Sequence, residues 1–210
     1  MTGRVVIDLF MTLDGVAQAP GGPEEDRSGG FTFGGWQAPF TDPVSGAQVM
    51  AGIERMDALL LGRRTYDIFA GYWPEHTGAD AGIADVFNRI PKYVASRGEP
   101  ALDWVGSVLL APDLSEQIGM LRSRHRETHV IGSIDLVQSL LGSGLFDELN
   151  LWVYPVVLGE GKKVFPEGAL PRTLRLLEPA VTSPAGAVWL RYGPGGPVVT
   201  GDMGADDRGV

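Results

Sequence analysis

A short apolar run that ends in glycine, arginine and threonine constrains the fold of this 210-residue chain more than any other feature. The run covers residues 58–61. It is followed at once by Gly62, Arg63, Arg64 and Thr65. Apolar residues without alternation are typical of a strand buried on both faces, as in a parallel sheet. The residues after the run predict a helix over 63–70, so a helix begins directly where this strand ends.

A helix N-terminus in this position attracts anions. Its first backbone N–H groups have no partner within the helix, and they lie at the positive end of the helix dipole. Arg63 and Arg64 add fixed positive charge in a geometry that suits phosphate. The alternative interpretation is a plain helix start whose arginines are solvated by water, and this junction alone does not separate the two.

Strands and helices alternate along most of the chain, which predicts a mostly parallel α/β sheet. Strands are predicted at residues 3–12, 57–61, 92–95, 107–110, 128–131, 146–158, 173–181 and 186–192. Helices are predicted at 44–56, 63–70 and 83–90, from residue 114, and after residue 133. The last two strands have no helix between them, so we expect an antiparallel C-terminal edge and a mixed sheet.

We expect a single domain over residues 1–193, followed by a tail at 194–210 that is rich in Gly, Pro and Asp. The long loop 16–43 carries Phe31, Phe33 and Trp36 among glycines and prolines. Loops of this length inside compact domains are usually functional. Two interpretations stay open: a lid that closes over an apolar ring of a ligand, or a loop held in place by its own aromatic side chains.

The composition argues against several classes of function. The net charge of −9 argues against a general nucleic-acid-binding protein, because neutralising phosphates requires a basic surface. The chain has no cysteine, which excludes disulfides, thiolate nucleophiles and Cys-ligated metals, and its three histidines are not at metal-ligand spacing, so we predict no metal. No apolar stretch approaches the roughly 18 residues of a membrane span, and no signal segment precedes the first strand. We therefore expect a cytoplasmic protein.

Two further predicted strands end in residues that resemble the first junction. These residues are Ser96, Arg97, Gly132 and Ser133. If the three strands are parallel, their carboxyl ends line one edge, which is where open α/β sheets bind ligands. That edge would carry three arginines, three hydroxyls and two helix N-termini, a combination that suits a ligand with several phosphates. An arginine after the second strand favours a ribose 2′-phosphate, and therefore NADPH over NADH.

An ordered set of motifs accompanies these strand ends over residues 4–192. The motifs lie at residues 12–16, 60–66, 92–97, 130–133, 145–149 and 155–159. In this order they resemble the dihydrofolate-reductase-like superfamily. Within it, the chain is most similar to the C-terminal reductase domain of the bifunctional riboflavin-biosynthesis deaminase-reductase and to its free-standing bacterial relatives.

The resemblance implies a three-layer α/β/α dihydrofolate-reductase-like fold with a mixed, mostly parallel sheet, NADPH as the hydride donor, and a homodimer. It assigns Gly62, Arg63, Arg64 and Thr65 to the phosphate-binding helix start. It assigns Ser96 and Arg97 to the 2′-phosphate site, and Gly132 and Ser133 to the turn under the pyrophosphate and nicotinamide. The activity that it implies is that of 5-amino-6-(5-phosphoribosylamino)uracil reductase in riboflavin biosynthesis.

The sequence gives fewer indications of the residues that would bind the substrate. The resemblance places Asp14 and Glu148 near the substrate, with Asp14 as a candidate proton donor, although an Asp before Gly is also a common turn former. We expect Trp36, from the long loop, and Tyr154 to contact the substrate as well. Alternation along the strand puts Glu148, Asn150, Trp152 and Tyr154 on one face. We expect Asn150 and Trp152 to lie under a helix or at a dimer interface.

Two departures from the family pattern matter. Ser133 and Ile134 follow Gly132 where the family often has a second glycine, and a bulkier residue limits the approach of a cofactor. Only Glu54 lies near the place where folate reductases carry a carboxylate on the first helix, which argues against a true dihydrofolate reductase. The alternatives are a cofactor-binding relative without turnover, a related enzyme with another substrate, and, more weakly, a flavin-binding protein. Asp8, inside the first strand, is either a satisfied buried polar group or a functional one.

Overall fold

The computed structural model describes residues 2–78 and 81–203, and these form a nine-stranded sheet flanked by helices. The strands are β1 (Arg4–Thr12), β2 (Ala58–Gly62), β3 (Lys92–Ala95), β4 (Ser107–Leu109), β5 (Glu127–Ile131), β6 (Glu148–Tyr154), β7 (Thr173–Leu176), β8 (Val181–Thr182) and β9 (Val188–Gly196). The helices are α1 (Pro43–Arg55), α2 (Arg63–Tyr72), α3 (Ala81–Arg89), α4 (Leu114–Arg124) and α5 (Ile134–Ser143).

The sheet is mixed, as the sequence predicts. Its strand order is β4-β3-β2-β5-β1-β6-β9-β7, with β8 paired to β9. The strands from β4 to β6 are all parallel, whereas β9 runs antiparallel to β6, β7 and β8. The fold class that the resemblance implies is therefore confirmed.

Helices cover both faces of the sheet, and the burial of β2 explains why its sequence lacks alternation. Leu60 packs with residues of α4 and α5 on one face, and Leu59 and Leu61 pack with α1, α2 and α3 on the other. All three leucines are fully buried. A third apolar cluster joins the long loop to the end of β6, with Trp36 and Tyr154 among its members.

The C-terminal strands differ in extent from the prediction. β6 ends at Tyr154, because Pro155 has no N–H to continue a ladder and the segment after it bonds to the loop that follows β1. The strand predicted at 173–181 is divided into β7 and β8, with Pro179 between them. β9 extends to Gly196, past the predicted domain end at 193, and residues 204–210 of the predicted tail lie outside the described residues.

Among the described residues, no helix combines the length and the apolar character that a membrane crossing requires. The same part of the chain holds no group of three or more His, Asp and Glu side chains that could hold a metal ion.

Candidate functional site

Three strand ends that the sequence singles out meet at one edge of the sheet. β3, β2 and β5 are adjacent and parallel, so their carboxyl ends point the same way. A cleft with a volume of about 1580 Å³ lies over this edge. It is lined by all of the predicted cofactor residues, namely Gly62, Arg63, Arg64, Thr65, Ser96, Arg97, Gly132 and Ser133. The structure thus brings together residues that are up to 71 positions apart in the sequence.

Two helix N-termini open into this cleft without a side-chain cap. Gly62 is the N-cap of α2 and Ser133 is the N-cap of α5, and neither makes a capping hydrogen bond from its side chain. Each helix has ten residues, enough for a substantial dipole. Backbone N–H groups at both starts are therefore available to an anion.

The serine and threonine hydroxyls hold the two turns together instead of standing free. The Ser133 N–H donates to Thr65 Oγ1 at 3.0 Å, and the Gly62 N–H donates to Ser133 Oγ at 2.9 Å. The Ser133 hydroxyl in turn donates to the Ile131 carbonyl at 3.3 Å. These bonds join the ends of β2 and β5, and the prediction that Thr65 and Ser133 also contact a cofactor stays a prediction.

Ser133 stands where the family often has a second glycine, and it keeps the backbone conformation that glycine favours. Gly132 has φ +60° and Ser133 has φ +53°, so both adopt the left-handed conformation. A non-glycine residue pays about 1–2 kcal/mol for this conformation. The hydrogen bonds of Ser133 offset that cost, and the turn keeps its shape without a second glycine.

The arginines at the cleft keep much of their surface in solvent. Arg63 pairs with Asp67 one helical turn away at 2.7 Å. Arg64 donates to Ser28 Oγ at 3.3 Å. The exposed fractions of the two side chains are 46% and 57%, and Arg97 is also exposed at the rim. Their charge is therefore accessible to an anionic ligand.

The floor of the cleft continues over β1 and β6. Asn150, Trp152 and Tyr154 line it together with Asp8 and Phe10. We expected Asn150 and Trp152 to lie under a helix or at a dimer interface. Both line the cleft, and Val49 of α1 packs against the apolar cluster that contains Trp152. The rings of Trp152 and Trp189 stack with their centroids 5.7 Å apart, and Trp189 also lines the cleft.

Tyr154 and Trp36 both belong to the aromatic cluster beside the cleft, but only Tyr154 is among the residues that line it. Tyr154 Oη accepts a hydrogen bond from Gln37 at 2.9 Å, and burial raises the pKa of Tyr154 to about 12. Trp36 packs edge-on against Tyr154, and its ring N–H donates to the Gln18 carbonyl at 2.8 Å. Phe31 is also buried, whereas Phe33 is exposed, so aromatic side chains hold the long loop in place.

Glu148 does not line the cleft, contrary to our expectation. It begins β6, and at about 3.3 Å per residue it lies roughly 20 Å from Tyr154 at the other end of the strand. Its carboxylate is buried and pairs with Arg191 at 2.8 Å and with Arg4 at 3.3 Å. Glu148 is therefore part of an ion-pair network on the sheet, and its contact with a substrate stays a prediction that this geometry does not favour.

Asp14 also lies away from the lining of the cleft. Its carboxylate accepts hydrogen bonds from Thr12 Oγ1 at 2.6 Å and from the N–H groups of Leu158 and Gly159 at 3.2 and 2.9 Å. Burial on its own raises the pKa of Asp14, but these bonds outweigh burial and the pKa is lowered. An ionised carboxylate has no proton to donate, so this geometry favours the turn-forming interpretation. The role of Asp14 in catalysis stays a prediction.

The structure contains a buried polar chain that sequence reasoning did not assemble. Asp8 Oδ2 lies 2.6 Å from His129 Nδ1, and His129 Nε2 lies 3.3 Å from Glu127 Oε2. Burial lowers the pKa of His129, but the two carboxylates outweigh it and raise the pKa to about 9. The signal available in the sequence was a charged residue within each apolar strand. Only the parallel register, which pairs Asp8 with Ile131, shows that they meet.

Comparison with known proteins gives one family. The profile of the RibD C-terminal domain matches residues 4–185. The uncharacterized protein YyaP of Bacillus subtilis (strain 168) is 27% identical over 165 residues, which span 77% of this chain and 80% of that protein.

Two solved structures show the shared fold. A protein of Shewanella sp. PV-4 assigned to riboflavin biosynthesis superposes with a TM-score of 0.68 at 18% identity, over 91% of this chain and 99% of that one. The dihydrofolate reductase of Enterococcus faecalis complexed with NADP(H) superposes with a TM-score of 0.55 at 13% identity, over 92% and 98% of the two chains.

Proposed function

The chain belongs to the RibD C-terminal domain family, and we propose that it is an NADPH-dependent reductase. It would transfer hydride to a C=N or C=O carbon of a small polar or heterocyclic substrate. A compound like 5-amino-6-(5-phosphoribosylamino)uracil, from riboflavin biosynthesis, fits this class. The riboflavin-pathway and NADP(H)-bound relatives support the proposal.

One observation carries the proposal: three parallel strand ends place two uncapped helix N-termini and three arginines around one cleft. This set of donors fits a dinucleotide that carries several phosphates. The N-terminus of α2, with Arg63 and Arg64, would hold pyrophosphate oxygens. Ser96 and Arg97 would hold the 2′-phosphate, and the turn at Gly132 would support the nicotinamide end.

The residues of the chain contribute binding and orientation, whereas NADPH, when bound, supplies the hydride. The clamp between Thr65 and Ser133 fixes the spacing of the two anion-binding turns. The aromatic floor formed by Phe10, Trp152 and Tyr154 offers an apolar surface on which a flat substrate would lie. Substrate contacts by Trp36, Glu148 and Tyr154, and the homodimer, stay predictions.

Titration with NADPH tests the cofactor assignment. We expect binding to the wild-type protein, followed through nicotinamide fluorescence. The double variant R63A/R64A should weaken binding about 10- to 100-fold, because each arginine offers charge-assisted hydrogen bonds to phosphate. Circular dichroism should show an intact fold, since about half of each side chain lies in solvent.

The matched control is R89A/R124A, which removes the same charge from exposed arginines that do not line the cleft. This variant should bind NADPH like the wild type. No binding of NADPH by the wild type at millimolar concentration would overturn the proposal. Equal affinity of R63A/R64A and the wild type for NADPH would mean that both arginines are only solvated surface charges.

A further inference from the structure

Asp8 presents a carboxylate on the floor of the cleft, next to the expected position of the nicotinamide. In the sheet register Asp8 pairs with Ile131 on one side and with Asn150 on the other. Ile131 directly precedes Gly132, whose turn would support the nicotinamide. A substrate that accepts hydride there would therefore lie against Asp8.

The neighbours of Asp8 orient its carboxylate and leave part of it free. Oδ2 bonds to His129 at 2.6 Å, and Oδ1 accepts from Asn150 Nδ2 at 2.9 Å. An ionised carboxylate has about four lone-pair sites, so both oxygens keep acceptor capacity. The side chain of Asp8 is 24% exposed and that of His129 is 1% exposed, so the free capacity faces the cleft.

His129 already neutralises the charge of Asp8. Both ring nitrogens of His129 lie against carboxylates, Asp8 on one side and Glu127 on the other, which favours the imidazolium. Arg4 also pairs with Glu127 and Glu148, and Arg191 pairs with Glu148. Arg55 adds a positive charge beside Glu127, and Glu178 adds a negative charge beside Arg191. Because the charges on this face are balanced, Asp8 does not require a cationic ligand. A neutral group with N–H donors meets its hydrogen-bonding capacity.

Asn150 supplies a second observation that points to a ligand at this place. It is 2% exposed and lines the cleft, and its Oδ1 atom has no hydrogen-bond partner among the described residues. A buried acceptor without a partner is costly and calls for an explanation. A further N–H group of a ligand would satisfy it. Trp152 and Phe10 line the cleft beside these polar atoms and suit a planar ring.

We propose that Asp8, oriented by His129 and Asn150, is the substrate-recognition residue, and that it accepts two adjacent N–H groups from one edge of a neutral, planar aminopyrimidine-type ring. Two parallel N–H···O bonds to one carboxylate fix both the position and the orientation of the ring. The proposal deepens the proposed function and rests on it for the position of the substrate.

A matched pair of probes tests the proposal without a known substrate. 6-Aminouracil carries a ring N–H and an adjacent amino group on one edge, whereas 6-methyluracil has the same shape without the amino donors. In an NMR titration, the wild type should bind 6-aminouracil about tenfold more tightly than 6-methyluracil. D8N should abolish this preference, because an amide NH₂ opposes a donor edge. Equal binding of the two probes by the wild type, or an unchanged preference in D8N, would overturn the proposal.

Two controls make the result specific to Asp8. D85N neutralises an exposed carboxylate of α3 that does not line the cleft, and should keep the wild-type preference. N150A removes the hydrogen-bond donor to Asp8 and the free acceptor, and it should reduce the preference for 6-aminouracil several-fold. An unchanged preference in N150A would mean that Asn150 takes no part in recognition. It also provides a test if D8N does not fold.

Titrations with and without NADP⁺ separate this proposal from the proposed function. If the wild type does not bind NADPH, the reductase assignment is contradicted, but a preference for 6-aminouracil that depends on Asp8 could still be observed. Conversely, D8N should bind NADPH like the wild type. If NADPH binds normally and no probe preference depends on Asp8, the recognition proposal fails and the reductase proposal stands.

Discussion

Arg97 is the residue on which we expect the choice between NADPH and NADH to depend. It follows β3 at the rim of the cleft, and a guanidinium there suits a ribose 2′-phosphate. R97A should weaken the binding of NADPH about tenfold and leave that of NADH nearly unchanged, because NADH has no phosphate at this position. Fluorescence titrations with both cofactors measure the ratio.

The control for this prediction is R89A, which removes an exposed arginine at the end of α3. It should leave the ratio of the two affinities as in the wild type. An equal loss of affinity for both cofactors in R97A would mean that Arg97 contributes general attraction and does not read the 2′-phosphate.

At the scale of elements, the hydrogen bonds between the turn β2–α2 and the turn β5–α5 determine the shape of the proposed anion site. Ser133 Oγ accepts from the Gly62 N–H, and the Ser133 N–H donates to Thr65. S133A should reduce the free energy of unfolding by about 1–2 kcal/mol, because it leaves the Gly62 N–H without its partner. It should also weaken NADPH binding, since the two helix starts lose a fixed spacing. Urea denaturation and the NADPH titration measure the two effects.

A suitable comparison for S133A is S123A, which removes a hydroxyl that bonds only to the Met120 carbonyl on the exposed side of α4. Its effect on stability should stay within about 0.5 kcal/mol. If the two variants are equally stable, the hydroxyl of Ser133 does not join the turns in solution.

At the scale of the whole molecule, the ion-pair network on the sheet links β1, β5, β6 and β9 and makes stability depend on pH. The pKa of His129 is about 9 in the folded protein, above its ordinary value of 6.5, because Asp8 and Glu127 outweigh the effect of burial. The interactions that raise the pKa of His129 stabilise the folded protein in full below pH 6.5. This stabilisation is lost as the pH rises towards 9.

We therefore expect the free energy of unfolding to fall by about 2 kcal/mol between pH 6.5 and pH 8, relative to H129Q. Chemical denaturation at a series of pH values measures this difference. In the wild type alone, Lys92 opposes this fall above pH 8, because burial lowers its pKa to about 8 and its contribution to stability rises with pH; Lys92 is also present in H129Q, so it cancels from the difference. NMR titration of the His129 ring in the wild type checks the assignment directly. A midpoint near 6.5 would contradict it.

The local sequence was enough to predict where the strands end. Those strand ends led to the correct fold class and to residues that line the cleft. Gly62, Arg63 and Arg64 follow a strand so apolar that both of its faces must be buried. Ser96 and Gly132 follow β3 and β5, which mix apolar residues with Lys92 and His129. Parallel strands bring such ends to one edge whatever their order, so the position of the proposed anion site could be predicted from local patterns. The extents of β6 and β9 were less predictable, because they depend on which partners supply ladder hydrogen bonds.

Tertiary structure alone decided the substrate side. The alternation of residues along β6 correctly predicted that Glu148 and Asn150 lie on one face. It did not predict which end of the strand reaches the cleft. The register pairs Asp8 with Asn150 and brings His129 to its other side. These side chains are 121 and 142 residues apart from Asp8 in the sequence, and each strand taken alone shows only a polar residue in an apolar run. Burying such a charge requires a partner, and the identity of that partner is a property of strand order and register, which no local pattern in this chain encodes.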